Sequence, residues 1–167
     1  GAILHLVPEG IQWSHRELDI QLNHYNNQRG SLLSTLNSID DRFADIKIAQ
    51  ARILMNSLSC QGFLPARLAS IALPLLDVLG RQPYISDPVL AAWGADVAEA
   101  RIEQHGTGDM SDEMADICLR VFESTPDRML KQNAAFHKVI DLALKARNPA
   151  IIRHAEKAYS AWLALPE

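Results

Sequence analysis

From Leu22 to Ser57 the chain repeats itself every seven residues. Leu22, Tyr25, Arg29, Leu32, Leu36, Ile39, Phe43, Ile46, Gln50, Ile53 and Ser57 fall at spacings alternating three and four, and eight of the eleven are apolar. This rhythm lays one apolar stripe along an α-helix and is foreign to a half-buried strand, whose side chains alternate faces. Ser14 starts the helix, with Glu17 three positions on to complete a capping box. The stretch NNQRGSLLSTL, Asn26 to Leu36, carries turn residues around Gly30. The heptad register nevertheless passes through it unshifted, and one glycine inside a helix costs only about 1 kcal/mol relative to alanine. The expectation is one continuous helix over about 14–60, after an extended lead-in at 1–13 broken by Pro8 and Gly10.

Such a helix would be roughly 70 Å long at about 1.5 Å per residue. A compact domain of this size is only about 40 Å across. Part of the stripe would then need cover from outside its own subunit. Leu22, Tyr25, Leu32, Leu36, Ile39, Phe43, Ile46 and Ile53 are therefore the expected partner-binding residues. The partner would be another protein or a second copy of the chain, the latter giving a homodimer.

Proline punctuates the rest. Asp87-Pro88, Thr125-Pro126 and Asn148-Pro149 each place a capping residue before a proline suited to a first helical turn, and Ser111 caps a run opening with Asp112 and Glu113. Helices are predicted near 63–79, 88–105, 112–123, 126–146 and 149–164. Nothing alternates as a strand would. The fold class expected is all-α: a helical bundle with a long N-terminal helix and four to five shorter ones, forming one domain over 14–167.

Apolar residues at 48% against 22% charged describe a chain that folds rather than one that stays disordered. The net charge of −4 is unevenly spread. Residues 85–127 hold ten acids against two arginines, and 128–167 hold seven lysines and arginines against three acids. Without a dominant basic face, nucleic-acid binding is not expected. The simplest account is that the two segments pack together and offset each other. No apolar run reaches the ~20 residues of a membrane span, because FLPARLASIALPLLDVLG is interrupted by Pro65, Arg67 and Pro74. Opening on Gly1-Ala2 reads as an excised fragment or a cloning scar. Cys60 and Cys118 sit in helical patterns as buried, reduced thiols, which fits a cytoplasmic protein.

Motifs for chemistry are sparse. Neither HExxH nor a Cys/His zinc spacing occurs, and His137 with Asp141, one turn apart, is at most half of a metal site. Asp40, Asp41 and Asp45 read as a solvated helix face. Lys131, Lys138 and Lys145 recur every seven residues, a stripe that could contact an anion or simply face water. Trp93 and Trp162 lie on apolar faces and belong in the core. No metal and no cofactor is expected. These features favour a non-catalytic protein-protein interaction module, an adaptor, regulatory or assembly domain working through helix surfaces. The alternatives are a sensory bundle closing on a small molecule near His24, Arg29 and Gln50, and an enzyme whose residues meet only in space, for instance His137, His154 and Tyr159.

Overall fold

The computed structural model describes residues 41–60 and 72–166. A 3-10 turn at Asp41–Phe43 leads into α1 (Ala44–Cys60). After it come α2 (Ala72–Leu79), α3 (Pro88–His105), α4 (Asp112–Glu123), α5 (Ala134–Leu144) and α6 (Pro149–Leu163), with short 3-10 turns at Tyr84–Ser86 and Pro126–Arg128. No strand occurs among the described residues, and the protein is an all-α helical bundle. The predicted long helix is helical from Asp41 to Cys60. Its portion at 14–40, including the passage through Gly30, lies outside the described residues, as do the lead-in at 1–13 and the predicted helix start at 63.

Helix starts obey the local chemistry. Ser111 Oγ accepts the Met114 amide at 3.1 Å and Asn148 Oδ1 accepts the Ala150 amide at 2.9 Å. Asp87 does more than cap. Its carboxylate accepts the Leu90 amide at 3.2 Å and also takes Arg52 Nε of α1 at 3.0 Å, the second carboxylate oxygen bonding Arg52 Nη2. The arginine hydrogen bond holds the buried Asp87 carboxyl below its ordinary pKa, against the opposing effect of burial. One side chain thus starts α3 and ties α1 to it. Replacing Asp87 with alanine should lower stability by about 1 kcal/mol from the lost cap alone. Chemical denaturation would register this, and a change below a few tenths would show that Asp87 does neither job.

α1, α2, α4 and α5 all pack on α3. Its sequence explains this, because Leu90, Ala91, Trp93, Gly94, Ala95, Val97, Ala98 and Ile102 bury several sides of the helix rather than one stripe. At Gly94 a Cβ would stand 3.3 Å from Val121 Cγ1 of α4 and 3.7 Å from Leu79 of α2. The small residue lets three helices approach closely.

The predicted helix 126–146 is divided in two. Thr125 does not cap the Pro126–Arg128 turn; its hydroxyl donates back to the Val121 carbonyl at 3.0 Å and closes α4. Beyond that turn, α5 begins only where Asn133 Oδ1 accepts the Phe136 amide at 3.1 Å. The same side chain donates to the Arg128 carbonyl at 2.5 Å and to Glu99 Oε1 of α3 at 3.0 Å, which pins the 129–133 loop.

Candidate functional site

α1 presents two different faces. Ala51 and Leu54 are buried in the core, on the side that packs against α3 and the Tyr84–Ser86 turn. Phe43, Ile46 and Ile53 are 48%, 49% and 43% exposed. At about 100° per residue this second row lies roughly a quarter turn from the first. These are the heptad positions of the sequence, and the body of the domain leaves them uncovered. Gln50, between them, is half-buried. The remaining predicted partner-binding residues, Leu22, Tyr25, Leu32, Leu36 and Ile39, lie outside the described residues, as do His24 and Arg29.

A second feature is a groove of about 470 Å³. One wall is α3, through Glu99, Ile102 and Glu103; the other is the 127–133 segment and the first turn of α5, ending at Lys138. Leu130 stands at its edge, 58% exposed. The loop bearing Leu130 is anchored from behind. Trp162 Nε1 of α6 donates to the Leu130 carbonyl at 3.4 Å, and Lys131 Nζ donates to the Leu163 carbonyl at 3.1 Å. That ammonium lies 4.5 Å from the centre of the Trp162 ring, a cation–π contact. Tyr159 stacks on the same indole at 5.7 Å, and His137 meets it edge-on at 4.6 Å. Inside the groove Arg128 bonds Glu99 Oε2 at 2.7 Å and pairs with Asp96.

A third feature joins α4 and α6. His154 Nδ1 lies 2.5 Å from Asp116 Oδ1, and its Nε2 bonds Glu123. With a carboxylate on each ring nitrogen the imidazolium is the favoured form, and its pKa rises to about 9, chiefly through the Glu123 hydrogen bond. Arg120, 3.2 Å from Asp116, makes the cluster two cations against two anions. A histidine with both nitrogens donating cannot accept a proton, so this group joins helices rather than serving as a general base.

The other sequence candidates find different places. Lys131 precedes α5 and is engaged with Trp162, so the predicted lysine stripe does not run along one helix; Lys138 is exposed beside the groove, and Lys145 is exposed at the end of α5. His137 and Tyr159 both touch Trp162, whereas His154 is held by α4. Asp141 is exposed, and among the described residues no three His, Cys, Asp or Glu side chains converge to hold a metal ion. Trp93 and Trp162 are buried, as expected. Cys118 is free and wholly buried, and burial pushes its thiol up to about 12, far from a reactive thiolate. The acidic and basic segments do face each other, through Arg128 with Asp96 and Glu99, and through the Arg147 amide with Asp112 at 3.0 Å. The groove and the cap at Asn133 were missed by sequence reading. Their one local signal is NAAF, an Asx residue opening an alanine-led apolar run.

Comparison with known proteins places these features in a family context. The model of the SopA-like central domain matches residues 46–167. The E3 ubiquitin-protein ligase SopA of Salmonella agona is 29% identical over 89 residues, which is 53% of this chain and 11% of that protein. Its counterparts in Salmonella newport and Salmonella typhimurium are each 28% identical over the same length. The matched stretch is thus about a tenth of the length of these curated relatives. No solved structure matches.

Proposed function

Because the chain belongs to the SopA-like central domain family, we propose that it is a non-catalytic protein-interaction module, acting through helix surfaces within the kind of protein its relatives represent. The relatives carry the name of E3 ubiquitin-protein ligases, whose work joins one protein to another. A domain that holds or assembles proteins suits that setting. The observation that carries the reading is the exposed apolar row of Ile46 and Ile53 on α1, with Phe43 in the 3-10 turn that leads into it. Large apolar side chains aligned on a heptad and left uncovered are characteristic of a face that meets another chain. Ile46 and Ile53 fall within the matched region. The occupant in this reading is a second copy, because the heptad spacing of the sequence runs from Leu22 to Ser57 and two identical chains would carry matching patterns. Arg42, whose guanidinium lies 5.8 Å from the Phe43 ring centre, flanks the seam with charge.

The Cys118 thiol is buried and neutral, which suits a core position and not a ligase nucleophile. Its free state suits a reducing compartment such as a cytoplasm. No helix among the described residues is long and apolar enough to cross a membrane.

The test is light scattering after size exclusion on the 167-residue chain. The expected mass is twice the 18.5 kDa of one chain. The double variant Ile46→Asp, Ile53→Asp should run as a monomer with its melting temperature within about 2 °C of the parent, since exposed positions have small stability effects. A monomeric parent, or a variant that unfolds, would overturn the reading, the second by showing that the seam is core.

A further inference from the structure

The groove between α3 and the start of α5 is distinct from the α1 seam and is built from other residues. Its lining has an apolar part, from Ile102, Ala134 and Ala135 with Leu130 at the edge. Its rim is charged, and the charges are unequal in their freedom. Arg128 is already taken up by Asp96 and Glu99. Glu103 and Asp127 are exposed and make no salt bridge among the described residues, though the Asp127 charge also acts on Arg128 at a distance. Opposing them is Lys138, the one lining cation with no salt bridge among the described residues, while the first turn of α5 is already capped by Asn133. The field offered to an incoming group is therefore negative, beside the apolar part of the lining.

We propose that this groove docks a basic peptide segment of another protein. One bulky apolar side chain would sit on Ile102, Leu130 and the two alanines, with lysine or arginine on either side meeting Glu103 and Asp127. The groove's volume of about 470 Å³ suits one such anchor with its flanking backbone. Anchoring by an apolar residue and selection by rim charge is a common division of labour in peptide recognition. The anchored loop favours it too. Trp162 and Lys131 fix the segment bearing Leu130, and Asn133 fixes its other end, so little ordering is required on binding.

The probe is a capped pentapeptide with phenylalanine flanked by two lysines on each side, titrated into the ¹⁵N-labelled 167-residue chain at pH 7. Shifts are expected in the amides of Ile102, Leu130, Ala134 and Ala135. Replacing its phenylalanine with alanine should weaken binding, and a glutamate-flanked version should bind at least about tenfold more weakly. The double variant Glu103→Lys, Asp127→Lys should raise the dissociation constant of the lysine peptide at least about tenfold while the melting temperature stays put. Equal or stronger binding of the glutamate peptide would overturn the proposal, assigning the groove to anions through Lys138. Shifts that map elsewhere, or none at millimolar peptide, would do the same. A monomeric parent chain would remove the α1 reading and leave this one untouched.

Discussion

Replacing Phe122 with alanine should destabilise the domain by about 4 kcal/mol, the range observed for truncating a buried aromatic ring. Phe122 is wholly buried on α4, the helix that packs against α2, α3, α5 and α6. Its ring meets Phe136 of α5 edge-on, with centroids 5.8 Å apart and planes at 87°. Phe136 in turn lies 6.3 Å from Trp162 of α6. The three rings connect three helices, and an alanine leaves a void that neighbours fixed on four sides can only partly close. For a domain of this size the melting temperature should fall by more than about 10 °C. Val89→Ala is the internal control, because that side chain is nearly half exposed, lies outside the α1 seam and the groove, and should change stability little. Calorimetry on both variants decides the matter. A loss below about 1 kcal/mol at Phe122 would mean that the aromatic chain does not carry the core.

The second large effect concerns pH. His154 has a folded pKa of about 9 against the usual 6.5, through its hydrogen bonds to Glu123 and Asp116. A raised pKa means that the folded state holds the proton more tightly. The stabilisation is therefore present in full below about pH 6.5, shrinks as pH rises, and is gone above about 9. The shift corresponds to roughly 2 kcal/mol once solvent screening of these partly exposed groups is allowed for. His154→Leu, which leaves two carboxylates near each other without their shared cation, should be less stable than the parent by that amount at about pH 6. The two stability curves should converge by about pH 9.5. Glu123→Gln should shift the window downward, since it removes the strongest partner. A difference between parent and His154→Leu that stays constant across that whole range would show that the clamp is mere packing. Cys118 destabilises both proteins alike once pH rises past the ordinary thiol value of about 8.5, because burial pushes its folded value up to about 12, so it cancels in the difference between parent and His154→Leu.

Much of the architecture was legible locally. Asp87, Ser111 and Asn148 cap helices where their short polar side chains and the prolines or acids next to them required, because capping involves atoms within three residues. The opposition of acidic and basic halves was readable from composition alone. What sequence reading joined too readily was 126–146, where Thr125-Pro126 reads as the start of one helix and Lys131, Lys138 and Lys145 as a stripe along it. The break there is set by Asn133 reaching the Arg128 carbonyl and Glu99, a residue 34 positions away. No local pattern encodes such a contact.

The seven-residue rhythm and the caps determined, on their own, that this chain is helical and that Phe43, Ile46 and Ile53 form one apolar row running from the 3-10 turn into α1. Periodicity and capping act along one helix, so sequence suffices to read them. Only the tertiary structure decided that Ala51 and Leu54 take the inward side while that row stays out, that His154 lies between two acids of α4, and that a groove opens beside Leu130. Each of those depends on how helices distant in the chain pack together, which is governed by side-chain volume and charge meeting across space.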